Sequence, residues 1–180
     1  ETAFNRLSME GPMARNANDV AMLLDVMAGY DSRDPMSLDD PAESFEEAAI
    51  SENVPPRIAF SPDLGITPVD PEVAELCERA ALKFEELGAH VEKAQPDFSG
   101  LQDVFQVHRA LSFATSLGSE LEANRNIFKP EIVWNVEKGL ALTGQDIMNA
   151  MVERSEIYRR ANAFFSDFDL IVNTPSLSST

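Results

Sequence analysis

A short apolar run, an amphipathic stretch and a second apolar run follow one another between residues 57 and 91. The first run is Arg57-Ile58-Ala59-Phe60, and the second is Ala89-His90-Val91. Between them, Asp70-Pro71-Glu72 has the residues that cap and open a helix, and Gly88 is placed to end it. This order predicts two parallel strands joined by a helix in a right-handed crossover. The apolar stripe of that helix is expected at Val73, Leu76, Ala80, Phe84 and Leu87.

Apolar residues at helical spacing predict further helices on both sides of this unit. The first begins at Asn16 or Asn18 and stops at Gly29, with apolar residues at Val20, Leu23, Leu24 and Met27. A short helix is expected near Phe45 to Ile50. Two more start at Leu101, where the pattern fades near Gly118, and at Pro130. A long helix begins at the capping pair Thr143 and Asp146, with a stripe at Ile147, Met151, Tyr158, Ala161 and Phe165.

Leu170-Ile171-Val172 is apolar on successive residues, which is typical of a parallel strand covered on both faces. Ile58–Phe60, Ala89–Val91 and Leu170–Val172 are therefore expected in one sheet. The predicted fold class is α/β, with mostly parallel or mixed strands flanked by helices. Three sections are expected along one α/β fragment: a motif and helix over 1–29, a Pro- and Asp-rich connector over 30–56, and an α/β subdomain over 57–180.

The charge balance limits the classes of partner that this chain is expected to bind. Acidic residues number 31 against 14 basic ones, a net charge of -17, and such a field repels nucleic-acid phosphates. No apolar run approaches the ~20 residues of a membrane span. Cys77 is the single cysteine, which excludes an intrachain disulfide and favours a reducing, cytoplasmic setting. Neither nucleic acid nor membrane is an expected partner.

Catalytic signatures are sparse in the sequence. His90 and His108 have no neighbouring ligands at metal-binding spacing, and no Gly-rich loop could hold a phosphate. Gly118-Ser119 is followed by Glu120, so the nucleophile elbow Gly-x-Ser-x-Gly is missing. No metal and no cofactor are expected. Taken alone, these residues indicate an acidic α/β domain, and a non-catalytic module that binds a protein partner remains one alternative.

Three stretches resemble the amidase-signature family. Gly11-Pro12-Met13-Ala14-Arg15, with Asp19 and a helix ending in Ala28-Gly29, resembles the family's segment after the catalytic core. Asp31-Ser32-Arg33-Asp34-Pro35 resembles its usual continuation, and the late helix running into Asp169-Leu170-Ile171-Val172-Asn173-Thr174-Pro175 resembles a later helix and strand. Gly11, Pro12, Arg15, Asp19, Asp169 and Pro175 are the motif positions, and structural roles are expected for them. Arg15 and Asp19 could pair across one helical turn.

The resemblance implies hydrolysis of carboxamides by a Ser–cis-Ser–Lys triad. In the family, the lysine and the Gly- and Ser-rich stretch precede the Gly-Pro motif, whereas ten residues precede Gly11 and all four lysines follow it. No catalytic residue is therefore assigned, and the chain is expected to be an internal piece of a longer enzyme. The resemblance also implies that helices after residue 100 line one wall of the substrate cleft. The candidates for substrate contact are Phe105, His108, Arg109, Phe113 and Trp134.

The resemblance leaves the parent enzyme open. A free amidase acting on a small amide is the first interpretation, and the A subunit of a tRNA-dependent amidotransferase is the alternative. Because an apolar strand needs neighbours on both faces, the isolated chain is expected to self-associate through the surface that would meet the catalytic core.

Overall fold

A computed structural model describes Phe4 and residues 7–174. The chain folds as two compact units, Glu1–Asn53 and Val54–Thr180.

The first unit contains helices α1 (Ala17–Met27) and α2 (Phe45–Ala49). Asn16 caps α1, since its side-chain oxygen accepts a hydrogen bond from the Asp19 backbone N–H at 2.8 Å. Asp25 of α1 then caps α2: its carboxylate accepts the backbone N–H of Phe45 at 2.6 Å and that of Glu46 at 3.1 Å. A side chain of one helix thus fixes the start of the other.

The second unit is built on a parallel sheet of β1 (Arg57–Ser61), β2 (His90–Lys93) and β3 (Leu170–Asn173), in the order β2-β1-β3. Ile58, Ala59 and Phe60 of the central strand are 0–2% exposed, which suits a strand covered on both faces. The predicted sheet of three parallel strands is confirmed, while the hand of the crossover stays a prediction.

Helices α3 (Pro71–Ala81) and α4 (Lys83–Glu86) connect β1 to β2. The single helix predicted over 71–87 is therefore interrupted at Leu82. There the backbone N–H of Leu82 still reaches Glu78 at 3.0 Å, but the next turn tightens, with the Glu85 N–H bonded to the Leu82 carbonyl. β2 begins one residue later than predicted and extends to Lys93.

Helices α5 (Leu101–Asn124), α6 (Pro130–Leu140) and α7 (Gly144–Phe164) follow β2, with a 3-10 turn at Arg125–Ile127. The prediction that the helix from Leu101 fades near Gly118 is wrong, because the segment stays helical to Asn124 and one glycine costs a helix only about 1 kcal/mol. Gly139 permits a close approach of α6 to α5: a Cβ added there would lie 2.0 Å from the carbonyl oxygen of Ala110.

Two predicted apolar stripes are partly wrong. On α3 and α4, Leu76 and Leu87 are 59% and 65% exposed, while Ala81 is buried. On α7, Met151 and Tyr158 are exposed, and the buried residues are instead Ala150 and Ile157. Both helices carry apolar residues on more than one side, so the spacing alone could not select the face that packs.

Candidate functional site

A surface groove of about 440 Å³ lies between α5 and α6. It is lined by Gln106 and Arg109 from α5 and by Pro130, Glu131, Trp134 and Asn135 from α6. Gln106 and Arg109 are three residues apart, and the adjacent pair Pro130 and Glu131 lies one turn before the adjacent pair Trp134 and Asn135, so each helix contributes a single face. The groove thus combines a cation, an acid, two amides and an indole.

Arg109 is held between two phenyl rings of its own helix. Its guanidinium carbon lies 5.8 Å from the ring centroid of Phe105 and 5.5 Å from that of Phe113, one turn to either side. Both distances fall within the range of a cation–π interaction. The Nε atom of Arg109 is buried without a hydrogen-bond partner among the described residues. The rings therefore orient the guanidinium and leave its hydrogen-bonding capacity largely unused.

Trp134 forms part of the opposite wall, and its residue is 54% exposed. The Lys138 ammonium lies 4.8 Å from its ring centroid and donates a 3.3 Å hydrogen bond to Oε1 of Gln106 on α5. Lys138 thus connects the two helices through an amide and a π face.

Asn135 lies at the base of this wall and is 4% exposed. Its Nδ2 donates to the Glu131 carbonyl oxygen at 2.7 Å, and its Oδ1 is buried without a partner within the described residues. A buried amide oxygen without a partner is uncommon and costs free energy, so it marks a polar point in an otherwise packed contact.

His108 does not join this groove. Burial lowers its pKa, and so does the positive charge of Arg154 on α7, while a hydrogen bond with the Ala150 backbone acts in the opposite direction. These neighbours place His108 against α7, and Arg109 faces α6. The structure therefore brings Arg109 and Trp134 together, flanks Arg109 with Phe105 and Phe113, and separates His108 from them.

Gln106, Asn135 and Lys138 were missed as site residues. Each lies one to four positions from Arg109 or Trp134 on the same helix, and that proximity was the signal that could have identified them.

A second groove, between α5 and α7, includes Asp103, Asp146 and Glu153. Among the residues that the structure describes, no group of three His, Cys, Asp or Glu side chains could hold a metal ion.

Asp169 is a motif position within the second unit, and it is not among the residues that line the groove. The carboxylate of Asp169 accepts the backbone N–H of Arg57 at 2.8 Å, and the Asp169 N–H donates to the Arg57 carbonyl at 2.9 Å, so this residue aligns β3 with β1. The pairing predicted for Arg15 and Asp19 is absent from the described ion pairs. Asp19 instead accepts from the Asn16 side chain at 2.9 Å, because Arg15 precedes the helix cap.

Gly11 and Pro12 are also motif positions, and they precede α1 outside any helix or strand. A Cβ at Gly11 would meet no atom within 4 Å among the described residues. Pro175 lies outside the described residues.

Comparison with known proteins decides the family. The family model described as amidase matches residues 2–179. The chain belongs to the amidase-signature family. An acylamidase from Rhodococcus erythropolis is 32% identical over 178 residues, covering 98% of this chain and 37% of that enzyme. The structure of a bacterial aryl acylamidase, described as an amidase-signature enzyme, superposes with a TM-score of 0.83 at 25% identity, covering 96% of this chain and 38% of that one.

A further relative is the A subunit of the glutamyl-tRNA(Gln) amidotransferase of Pseudomonas savastanoi pv. phaseolicola. It is 34% identical over 87 residues, which are 48% of this chain and 18% of the subunit. This amidase-signature chain thus spans well under half the length of the relatives it matches. Within its described part, no helix is both long and apolar enough to cross a membrane.

Proposed function

We propose that this chain is part of an amidase that hydrolyses a small carboxamide, and that it supplies scaffold and one wall of the substrate cleft. The observation that carries the proposal is the α5–α6 groove, where Arg109 and Trp134 line a common surface in a chain of this family. A guanidinium can bind a carbonyl or carboxylate, and an indole can pack on an acyl or aryl group. The chemical step is assigned to a Ser–cis-Ser–Lys triad outside these 180 residues.

Two assays test this assignment. The purified 180-residue chain should give no amide turnover above buffer, because the activated nucleophile is assigned elsewhere. In a full-length enzyme containing this chain, Trp134→Ala should raise KM for the amide at least several-fold, since it removes a contact surface for the acyl or aryl group. Arg125→Gln is the matched control, because Arg125 pairs with exposed Glu137 and is outside the groove lining. Turnover by the isolated chain, or equal effects of the two substitutions, would contradict the proposal.

The A subunit of a tRNA-dependent amidotransferase is the second candidate. It is favoured by the 34% identity over 87 residues to such a subunit. Co-purification of the full-length protein with other amidotransferase subunits, and glutamine-dependent amidation of Glu-tRNA(Gln), would favour this candidate. An enzyme that hydrolyses free amides as a single subunit would favour the amidase.

We further propose that the isolated chain self-associates. Among the described residues β3 pairs with β1 alone, so its other edge offers free backbone groups. Helix α7 of the same unit offers further apolar surface through four side chains that are each 54–70% exposed: Met148, Met151, Val152 and Tyr158. Burying about 500 Å² of such surface would contribute on the order of 10 kcal/mol before association costs.

Light scattering at micromolar concentration tests this proposal. The wild-type chain should exceed the monomer mass, and Met151→Glu should shift it toward the monomer. Leu76→Glu is the matched control, since Leu76 has nearly the same exposure but lies on α3. A strictly monomeric wild-type chain would refute the proposal.

The cytoplasmic location inferred from composition stays a prediction.

A further inference from the structure

We infer that the α5–α6 groove binds a small planar carboxylate. For the reaction, this implies that the preferred substrate is an amide whose acyl part carries a second, anionic group. That second claim rests on the proposed amidase function. The binding itself needs only the groove, so the two claims can be tested separately.

The first argument is charge. The chain carries a net charge of -17, and six described arginines form ion pairs with acids: Arg33, Arg57, Arg79, Arg125, Arg159 and Arg160. Arg109 and Lys138 form no ion pair among the described residues; rings and one amide contact them instead. Arg15, Lys83 and Lys129 also lack an ion pair among the described residues, but of these five cations only Arg109 lines the groove, and Lys138 contacts two of its lining residues. Without a paired carboxylate, both are available to an external anion.

The second argument is geometry. Phe105 and Phe113 hold the Arg109 side chain from both sides, so a ligand need not immobilise it. A guanidinium binds a carboxylate through two parallel hydrogen bonds, and pre-orientation reduces the entropic cost of forming them. Trp134 provides a partly exposed aromatic surface in the same groove, against which a planar group can stack. Anion and ring are therefore recognised together.

Glu131 limits how much negative charge a ligand of the groove can carry. It lines the groove as an exposed acid, so the positive charges of Arg109 in the lining and of Lys138, which borders it through Trp134 and Gln106, are opposed by one negative charge. One excess positive charge suits a monoanion better than a dianion. Removal of the Glu131 charge should therefore strengthen the binding of a carboxylate, a gain that misfolding could not produce.

Trp134 is the only tryptophan in the sequence, so its fluorescence reports on the groove directly. The 180-residue chain is titrated with benzoate and, separately, with benzamide, which has nearly the same shape without the charge. We expect benzoate to bind at least about 10-fold more tightly, the size of effect that one charge-assisted contact can supply. Arg109→Gln should reduce benzoate binding to the benzamide level, and Arg109→Lys should retain part of the preference.

Glu131→Gln should tighten benzoate binding several-fold, and Arg125→Gln, outside the groove lining, should change nothing. Equal affinity for benzoate and benzamide, or an unaltered preference in Arg109→Gln, would overturn the inference. The inference would also be overturned if benzoate at about 10 mM, a concentration above the Kd expected for specific binding, gave neither quenching of Trp134 fluorescence nor a saturation-transfer NMR signal.

A full-length enzyme separates the two claims. It is assayed with benzamide and with 4-carboxybenzamide, and we expect kcat/KM to favour the charged amide, with the ratio collapsing in Arg109→Gln. Hydrolysis without this preference would leave the amidase function standing and refute the inference. If the chain binds benzoate but the full-length enzyme hydrolyses no amide, the binding claim stands and the amidase function is refuted.

Discussion

Gly139 is the position where one added methyl group should have the largest effect. Its Cβ would lie 2.0 Å from the carbonyl oxygen of Ala110 and 2.6 Å from Cβ of Ala114, both on α5. Non-bonded carbon atoms prefer separations of about 3.5–4.0 Å, so α6 would have to move away from α5 by about 1 Å or more. The nearest atom belongs to the backbone and cannot rotate away.

The free energy of unfolding should fall accordingly in Gly139→Ala. Overpacking a core costs about 1–3 kcal/mol, occasionally more, and an unyielding backbone contact belongs at the upper end. The better helix propensity of alanine returns about 0.8–1 kcal/mol. We therefore expect a net loss of about 2 kcal/mol.

Gly118→Ala is the matched control, because it places the same methyl group inside α5 at an ordinary distance, 3.8 Å from Cδ2 of Leu140. Propensity alone then predicts a gain of about 0.5–1 kcal/mol. Urea unfolding followed through Trp134 fluorescence measures both variants, and Trp134 lies on α6 itself. A Gly139→Ala variant as stable as wild type or as Gly118→Ala would refute the contact between α5 and α6 on which the groove depends.

Three further predictions follow from other contacts. Burial, together with the charge of Arg154, lowers the pKa of His108, so the unfolded chain takes up this proton at a higher pH than the folded chain does. In a His90→Gln background the free energy of unfolding should therefore decrease as the pH falls through the ordinary histidine pKa of about 6.5. His108→Leu should flatten that slope, and an unchanged slope would exclude His108 as its source. Thr143 caps α7 by accepting the Asp146 N–H; Thr143→Ala should cost about 1 kcal/mol in urea unfolding, and a neutral result would argue against the cap. Asp169→Ala removes the acceptor for the Arg57 N–H and should cost about 1.5–3 kcal/mol, with faster amide exchange at Arg57 than in wild type; retained protection there would contradict the alignment role.

The three strands and most helix starts were predictable because their determinants are local. Asn16, Asp70 and Thr143 each cap the helix that follows, as expected from side chains that accept backbone N–H groups. The parallel pairing of Ile58–Phe60 with its neighbours followed from chain order, since a strand, a helix and a strand return in parallel. The family could also be inferred from the sequence, because its motifs are contiguous.

The packing faces were not local properties. Leu76 and Ala81 are both apolar residues of α3, and only packing against the rest of the unit decides that Ala81 is buried while Leu76 stays exposed. Periodicity cannot rank two apolar sides of one helix, because burial depends on what lies opposite.

The candidate site shows the same division. The sequence singled out Arg109, Trp134 and the flanking Phe105 and Phe113, but it also grouped His108 with them. Successive residues of a helix point about 100° apart, so His108 meets α7 while Arg109 meets α6. The placement of Asn135 in the groove lining, and of Lys138 against Trp134 and Gln106, depended on how closely α6 approaches α5. Gly139 permits that approach, but only the packed structure reveals which side chains it brings together.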